Sequence, residues 1–198
     1  MKTKITEKWL VKKGACEAGV EAFKNQKEAD SLKILKNLIR VKKLAWANWL
    51  VVRVMTYKQY VAYAVFAAEQ VVGIFEKKYP NDNRPRRAIR AAQKCIKNPT
   101  KKNKAAADAA AADAAYTADA AYTAADAASA AAAYAAYAAY TATYAAYAAD
   151  AATYAAADAA GMASTAVADY TDYTSYTAAT KTKLKILKYG VTLLEGGK

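Results

Sequence analysis

The sequence predicts an all-α protein, a single-domain helical bundle with long alanine-rich helices. Gly and Pro are scarce, at 7 and 3 of 198 residues, so little in the chain interrupts a helix. Alanine, which has the highest helix propensity, dominates the second half. Apolar side chains recur at three- and four-residue spacing in most segments, and this is the period of a helix rather than of a strand.

The first helices carry recognisable start and stop signals. Thr6 is placed to cap a short helix that ends at Gly14, and residues 16–25 are predicted to form a second one. From Ser31 onward, leucines fall on one face and lysines on another, a pattern typical of an amphipathic helix with a solvated basic side. The chain is therefore predicted to begin with three helices.

The hydrophobic centre is expected in the two segments that follow. Residues 44–55 bring Trp46 and Trp49 together at three-residue spacing, and both rings are predicted to lie in the core. Thr56 then caps a single longer helix, rich in Val and Phe, which continues to the turn at 79–83. The proline, asparagines and aspartate of this turn end the helix.

The second half is a low-complexity region that is nevertheless predicted to be helical. One helix starts near Pro85 and ends at the Asn-Pro pair 98–99, after which Thr100 caps the next. Residues 101–160 contain neither Gly nor Pro, so one long helix or two stacked helices are expected before Gly161.

Tyrosines in this region are spaced to project from one side of the helix, opposite a surface of alanines. They serve either as core or as an exposed interface, and mixed use is expected, with core favoured for any one ring. The alanine surface offers a place for a second copy of the chain, so a homodimer is one expectation. The tyrosines on this side are Tyr137, Tyr140, Tyr144, Tyr147 and Tyr154.

Charge divides the chain into three parts. Residues 1–104 hold 25 Lys and Arg against 8 Asp and Glu, a net charge of +17, and we call them the basic body. Residues 105–180, the acidic arm, hold 8 Asp and no cation. Residues 181–198 hold 5 lysines and 1 glutamate and are predicted to be a basic amphipathic helix with a frayed tail. Opposite charge is expected to pack the arm on the body.

Several chemistries lack the residues that they need. The chain has no histidine, the side chain used most often for proton transfer near neutral pH and for metal binding. Cys16 and Cys95 lie far apart without further ligands at metal-site spacing, and both thiols are expected to be buried. No paired-carboxylate or phosphate-loop pattern is present. No catalytic activity, cofactor or metal is therefore predicted.

Membrane insertion is not predicted either. The N-terminal lysines are not followed by an apolar stretch of the kind found in signal peptides, and the apolar run 44–55 is short and interrupted by Arg53. We therefore expect a cytoplasmic location, without membrane contact.

One stretch of the chain is distinctive as a string. Residues 75–92 read FEKKYPNDNRPRRAIRAA and are followed by the alanine-rich run. This FExxYPxDxRPRxAI pattern resembles an immunity protein family that genome context associates with bacterial toxin systems and that has similar sequences in phages. The resemblance covers about residues 57–160 and implies a helical fold with a neutralising, protein-binding role. The Tyr- and Asp-rich composition of the alanine region departs from the family, and the segment before Thr56 lies outside the match.

The candidate binding site is the basic cluster within this stretch. Arginines near a helix start can hold phosphate or carboxylate with two hydrogen bonds each. Internal pairing with the aspartates of the acidic arm is an equally weighted interpretation, and the tyrosine of the turn shapes the backbone in that case. The candidate residues are Tyr79, Arg84, Arg86, Arg87, Arg90 and Lys94.

Two functions from different classes fit these features. The first is a non-catalytic inhibitor, of the immunity or phage anti-defence type, which neutralises a protein toxin or immune effector or sequesters its phosphate-containing nucleotide signal. The second is a nucleic-acid-binding protein that uses the basic body, although the aspartates of the acidic arm would repel phosphate. In either case the location is a bacterial cell or a phage-infected host.

Overall fold

The computed structural model confirms the all-α fold. It describes residues 3–122, 133, 135, 136, 138 and 172–196, and the statements below concern these residues. Their only extended pairing is an isolated bridge between Lys4 and Asp30. The helices are α1 (Glu7–Lys12), α2 (Glu17–Lys24), α3 (Ser31–Arg40), α4 (Leu44–Val54), α5 (Tyr57–Glu69), α6 (Val72–Lys78), α7 (Arg84–Lys97), α8 (Lys101–Tyr122) and α9 (Asp172–Glu195).

Helix starts follow the predicted caps. The hydroxyl of Thr6 accepts a hydrogen bond from the backbone N–H of Trp9 at 3.1 Å, which satisfies a donor left open in the first turn of α1. Gly14 has a φ of +73°, a left-handed conformation that suits glycine where the chain leaves the helix. At the start of α5, the backbone N–H of Thr56 donates to the side chain of Gln59 at 2.9 Å, as part of a capping box.

The prediction of a single long helix after Thr56 is wrong, because α5 ends at Glu69 and a separate helix, α6, begins at Val72. The N–H groups of Gln70 and Val71 donate to carbonyls three residues earlier, at 3.2 and 3.1 Å, which tightens the backbone into a turn. This turn rotates the following side chains, so that Val71, Val72 and Phe75 are all buried. A straight helix could not direct both adjacent valines inward equally well, because neighbours on a helix point about 100° apart.

The hydrophobic centre lies on α5, as expected, but it contains a polar pair. Tyr63 is fully buried, and its hydroxyl donates to the side-chain oxygen of Asn48 on α4 at 2.7 Å. Burial raises the pKa of the Tyr63 phenol, so it stays neutral and remains a donor. Because each group satisfies the other, this bond fixes the register of α4 against α5 without leaving a buried polar atom unpaired.

Helix α9 packs against α3, α4 and α5. It begins at Asp172, so it continues without interruption through the boundary that the sequence suggested at residue 181. Ile186 and Leu187 are buried in the core, and the ring of Tyr189 stacks on Phe66 with centroids 4.1 Å apart. α9 thereby joins the N-terminal helices to the middle of the bundle.

Helix α7 packs between α5 and α8. Its inner face buries Ile89 and Ala92, as predicted. α8 approaches with small side chains, whose size allows two backbones to come close, and its first turn is capped by Thr100 through the N–H of Asn103 at 3.2 Å. The buried alanines of α8 are Ala107, Ala110, Ala111 and Ala114. The tyrosine side predicted for residues 137–154 and the break at Gly161 lie outside the described residues.

Three burial predictions need correction. Cys95 is buried, but Cys16 is exposed because it precedes α2 at the surface. Trp46 and Trp49 are only half-buried, and their outer faces lie under Lys43 and Arg53, with cation-to-centroid distances of 4.2 and 4.3 Å. Cation contact is compatible with an indole at the edge of a core, so these rings close one side of the bundle rather than fill it.

None of the described helices has the length and apolarity needed to cross a bilayer.

Gly190 allows α9 to approach this closely. A Cβ placed on Gly190 would lie 2.9 Å from both Tyr63 Cε2 and Val51 Cγ2. Gly190→Ala should therefore lower the free energy of unfolding by about 1–3 kcal/mol through overpacking. Helix propensity alone predicts the opposite sign, a gain of up to about 1 kcal/mol.

The matched control is Gly73→Ala in α6, where an added Cβ meets nothing within 4 Å. This variant should keep or slightly raise stability, because only helix propensity acts on it. Urea denaturation of both variants checks the difference. Equal stability of the two would show that α9 does not depend on close contact at Gly190.

Candidate functional site

The turn before α7 is built around Asp82. Its backbone N–H donates to the carbonyl of Tyr79 at 3.0 Å, and its carboxylate accepts from the backbone N–H of Arg84, also at 3.0 Å. Pro85 occupies the first turn of α7, where its missing N–H costs nothing. The sequence thus sets the start of α7 locally, and with it the direction in which the arginines leave the helix.

Two of the candidate arginines are held by carboxylates of the basic body. Arg84 donates to both oxygens of Asp82, its NH2 group lying 2.6 Å from Oδ2. Arg86 forms a two-bond pair with Glu76 on α6, at 2.7 and 2.6 Å. The Arg84 guanidinium holds the pKa of Asp82 below its ordinary value. The Arg86 guanidinium lowers the pKa of Glu76 in the same way. Paired geometry of this kind fixes both side chains in place.

The remaining cations of α7 lie on its outer face. Arg87 approaches Asp113 of α8 at 3.5 Å, with both side chains about half exposed. Arg90 is exposed and influences the pKa of Glu76 only through charge, and Lys94 and Lys97 are exposed as well. We call Arg87, Arg90, Lys94 and Lys97 the α7 stripe. Within the described residues, its last three members form no ion pair.

Tyr79 belongs to the turn rather than to the stripe. Its ring packs on Phe75 with centroids 4.9 Å apart, and the Lys78 ammonium lies 5.6 Å from its centre. Residues 78–84 surround a polar hollow of about 580 Å³ that is open to solvent. The carboxylate of Asp82 lines this hollow and is already engaged by Arg84, so the hollow does not offer a free guanidinium to an anion.

The six candidate residues therefore do not converge on one point. Arg84, Arg86 and Tyr79 shape the turn, whereas Arg87, Arg90 and Lys94 form a line along α7. Internal pairing was expected to come from the acidic arm; among the carboxylates that the structure describes at these arginines, Asp113 belongs to the arm, whereas Asp82 and Glu76 lie in the body. Asp82 and Glu76 are close along the chain to the arginines that they bind, at separations of two and ten residues.

Metal-ligating side chains do not cluster in the part of the chain that the structure describes, where no three of Cys, Asp and Glu come together. The arrangement offers charge and hydrogen-bond donors at a surface, which suits recognition of an acidic partner.

A comparison with known protein families covers this part of the chain. Residues 51–179, which include the turn, α7 and α8, match the family model described as Imm-5 like putative immunity protein. The chain belongs to this family. The match confirms the resemblance drawn from the sequence, and it extends further at both ends than the 57–160 expected. No curated protein and no solved structure matches the chain significantly.

Sequence reasoning missed one site in this immunity-family chain. An apolar groove lies between α1, α2, α3 and α4, and both Trp46 and Trp49 line it. All of its lining residues precede the matched range 51–179. The signal available in the sequence was the pair of tryptophans flanked by cations, a combination that also occurs at ordinary core edges.

The Arg86–Glu76 pair should make the free energy of unfolding depend on pH in the acidic range. Because the pKa of Glu76 is lowered in the folded protein, the pair stabilises the fold at neutral pH. This contribution begins to be lost as the pH falls below about 4.5, the ordinary pKa of a glutamate, and is gone once the pH has fallen through the lower pKa of the folded state. Both side chains are about one-third exposed, so Glu76→Gln should cost no more than about 1 kcal/mol at pH 7.

Denaturation midpoints measured between pH 7 and pH 3 check this expectation. The variant and the natural protein should differ at neutral pH and converge in acid, where the natural Glu76 is itself protonated. A constant difference across the whole range would assign the effect of the substitution to packing rather than to charge.

Proposed function

We propose that the chain is a non-catalytic immunity protein that neutralises a protein toxin by binding it through the α7 stripe. Membership of the Imm-5 like family supports the neutralising role in general. The observation that supports this particular face is the line of exposed cations at Arg90, Lys94 and Lys97, which lack carboxylate partners among the described residues. From Arg90 to Lys97, a separation of seven residues, the line extends for about 10 Å along the helix.

An extended acidic surface fits this line better than a small phosphate ligand does. A nucleotide site needs guanidiniums that converge with their hydrogen-bond donors free. Arg84 and Arg86 have the best bidentate geometry in the cluster, and both are engaged by Asp82 and Glu76. Cations spaced along one helix face instead suit carboxylates distributed over a protein surface, where charge complementarity raises the association rate and selects the partner.

The same face would serve an anti-defence role, in which the target is an immune effector of the host rather than a toxin. Both targets are proteins and require the same complementarity. The identity of the protein that contacts α7 in the cell separates them.

Site-specific photocrosslinking tests the proposal. A benzoylphenylalanine at Arg90 should capture a specific protein in cells that produce the natural target, whereas the same residue at exposed Lys185 on α9 should not. The captured protein, expressed alone, should be toxic or trigger an immune response, and co-expression with this chain should relieve the effect. A captured protein without such activity, or equal capture from both positions, would argue against the α7 stripe.

Charge reversal gives a quantitative prediction. Arg90→Glu combined with Lys94→Glu should weaken binding to the captured target by about tenfold or more, mainly through a slower association rate. The matched control, Lys181→Glu with Lys185→Glu on α9, changes the net charge equally and should bind almost as the natural protein does. Association rates measured at two salt concentrations check both variants, and equal losses would show that net charge alone drives binding.

Nucleic-acid binding remains the second candidate, because the basic body carries a net charge of +17 and the α7 stripe is exposed. Labelled duplex titrated across a salt series distinguishes the two functions. If phosphate is the target, the affinity for duplex falls steeply with salt, and replacing Arg90 and Lys94 by alanine lowers the slope by about two. The protein-binding function predicts no retention of duplex at physiological salt.

A further inference from the structure

An apolar groove of about 490 Å³ opens between α1, α2, α3 and α4. This volume is typical of binding sites and exceeds the voids that remain in a well-packed interior. Few polar groups reach it, chiefly the amides of Gln26 and Asn37 and the ammonium of Lys43. The main apolar side chains along its walls are Leu10, Phe23, Ile34, Leu38, Trp46 and Trp49.

The apolar surface continues beyond the groove onto its rim. Val41 and Val11 are the two large hydrophobic side chains that are exposed among the described residues, at 44% and 62%. Val41 lines the groove itself, and Val11 follows Leu10, which also lines it. Because neighbouring side chains on a helix point about 100° apart, Val41 rather than Val11 extends the groove into an exposed apolar surface, and such surfaces mark sites of interaction.

On the α3–α4 side of this groove the charge has one sign. Residues 33–53, which form most of α3 and α4, contain six Lys and Arg and no carboxylate. Lys33 and Lys36 are paired with carboxylates elsewhere in the fold. Lys42 and Lys43 are exposed and form no ion pair within the described part of the chain.

The opposite wall, formed by α1 and α2, carries both signs, because Glu7, Glu17 and Glu21 lie beside its lysines. Lys12 and Lys13, at the end of α1, are exposed and likewise form no ion pair with any described residue. The indole of Trp49, which lines the groove, contacts Trp9 of α1 edge to face at 6.3 Å, so the two walls are held together. A partner that fills the groove would therefore meet lysines on both sides.

The groove is separate from the proposed toxin-binding face. Its last lining residue, Leu50, precedes the family match at 51–179. The α7 stripe lies on a helix that packs on α5 and α8, whereas the groove is formed by the first four helices. A ligand in the groove and a partner on α7 would thus contact different helices.

We propose that this groove binds an acidic amphipathic segment of a second partner protein. Its large apolar side chains would enter between Phe23, Leu38 and Trp46, and its flanking carboxylates would face the lysines of the rim. This is the helix-in-groove mode of recognition, in which apolar anchors provide affinity and flanking charge provides selectivity. The exposed Val41 and the lysines of the rim favour a protein segment over a small molecule, because a ligand confined to the cavity would not cover all of them.

Three labelled helical peptides of about 16 residues serve as probes. The first carries Leu and Phe on one face and Glu on its flanks, the second replaces Glu by Lys, and the third keeps Glu but replaces the apolar face by Ser. Fluorescence anisotropy should show that the first peptide binds at least about tenfold more tightly than either of the others. With Lys42→Glu and Lys43→Glu this preference should fall or reverse, whereas Lys181→Glu with Lys185→Glu should keep it.

Cys16 allows the groove to be blocked without changing the sequence. It lines the groove and is exposed, whereas Cys95 is buried and its pKa is raised by that burial, so a maleimide should react selectively with Cys16. Pyrenyl maleimide on the natural protein should weaken binding of the first peptide by about tenfold or more. The Cys16→Ser variant places serine, a favoured N-cap residue, before α2. It should bind the peptide equally before and after the same treatment.

Three outcomes would overturn the proposal. Equal affinity for the Glu and Lys peptides would remove the charge selectivity, and binding that persists after Cys16 is modified would place the peptide elsewhere. Fluorescence enhancement of anilinonaphthalene sulfonate without binding of any peptide would assign the groove to small apolar molecules. Arg90→Glu with Lys94→Glu should leave peptide binding intact, so this result does not depend on the α7 stripe.

Discussion

The close contact of α9 with the centre of the bundle is the constraint on which the rest of the structure depends. At Gly190 the backbone of α9 comes within van der Waals reach of Tyr63 and Val51. Because α9 also packs on α3, it connects the first four helices to α5 and, through α5, to α7. The hydrogen bond from Tyr63 to Asn48 then fixes α4 against α5. Both surfaces proposed for binding depend on this arrangement, although neither includes α9.

Local carboxylates determine which cations of α7 can meet a partner. Asp82 and Glu76 bind the first two arginines of the cluster and make them part of the framework of the turn. Beyond Arg87, which approaches Asp113, the cations Arg90, Lys94 and Lys97 form no ion pair within the described structure, so their charge remains directed at solvent. A single basic motif is thereby divided into a structural part and a part available for recognition, and this division favours a protein partner over a phosphate ligand.

The two candidate surfaces lie on different helices, and they differ in physical character. The α7 stripe is a line of charge, suited to rapid and salt-sensitive association, and it lies inside the range that matches the Imm-5 like family. The groove is an apolar cavity with a basic rim, suited to anchoring a segment by burial, and it lies before that range. A neutralising protein with both surfaces could contact its target and a second protein at the same time.

The sequence by itself determined the all-α class, the caps at Thr6 and Thr56 and the inner face of α7, because these follow from propensity and periodicity within a few residues. It also indicated the family through residues 75–92. Only the tertiary structure decided the break between α5 and α6, the exposure of Cys16 and the half-burial of Trp46 and Trp49, since burial depends on which helices meet. The same reason applies to the arginines: their spacing predicts a basic face, but pairing with Asp82 and Glu76 depends on distances that appear only when the turn and α6 fold against α7.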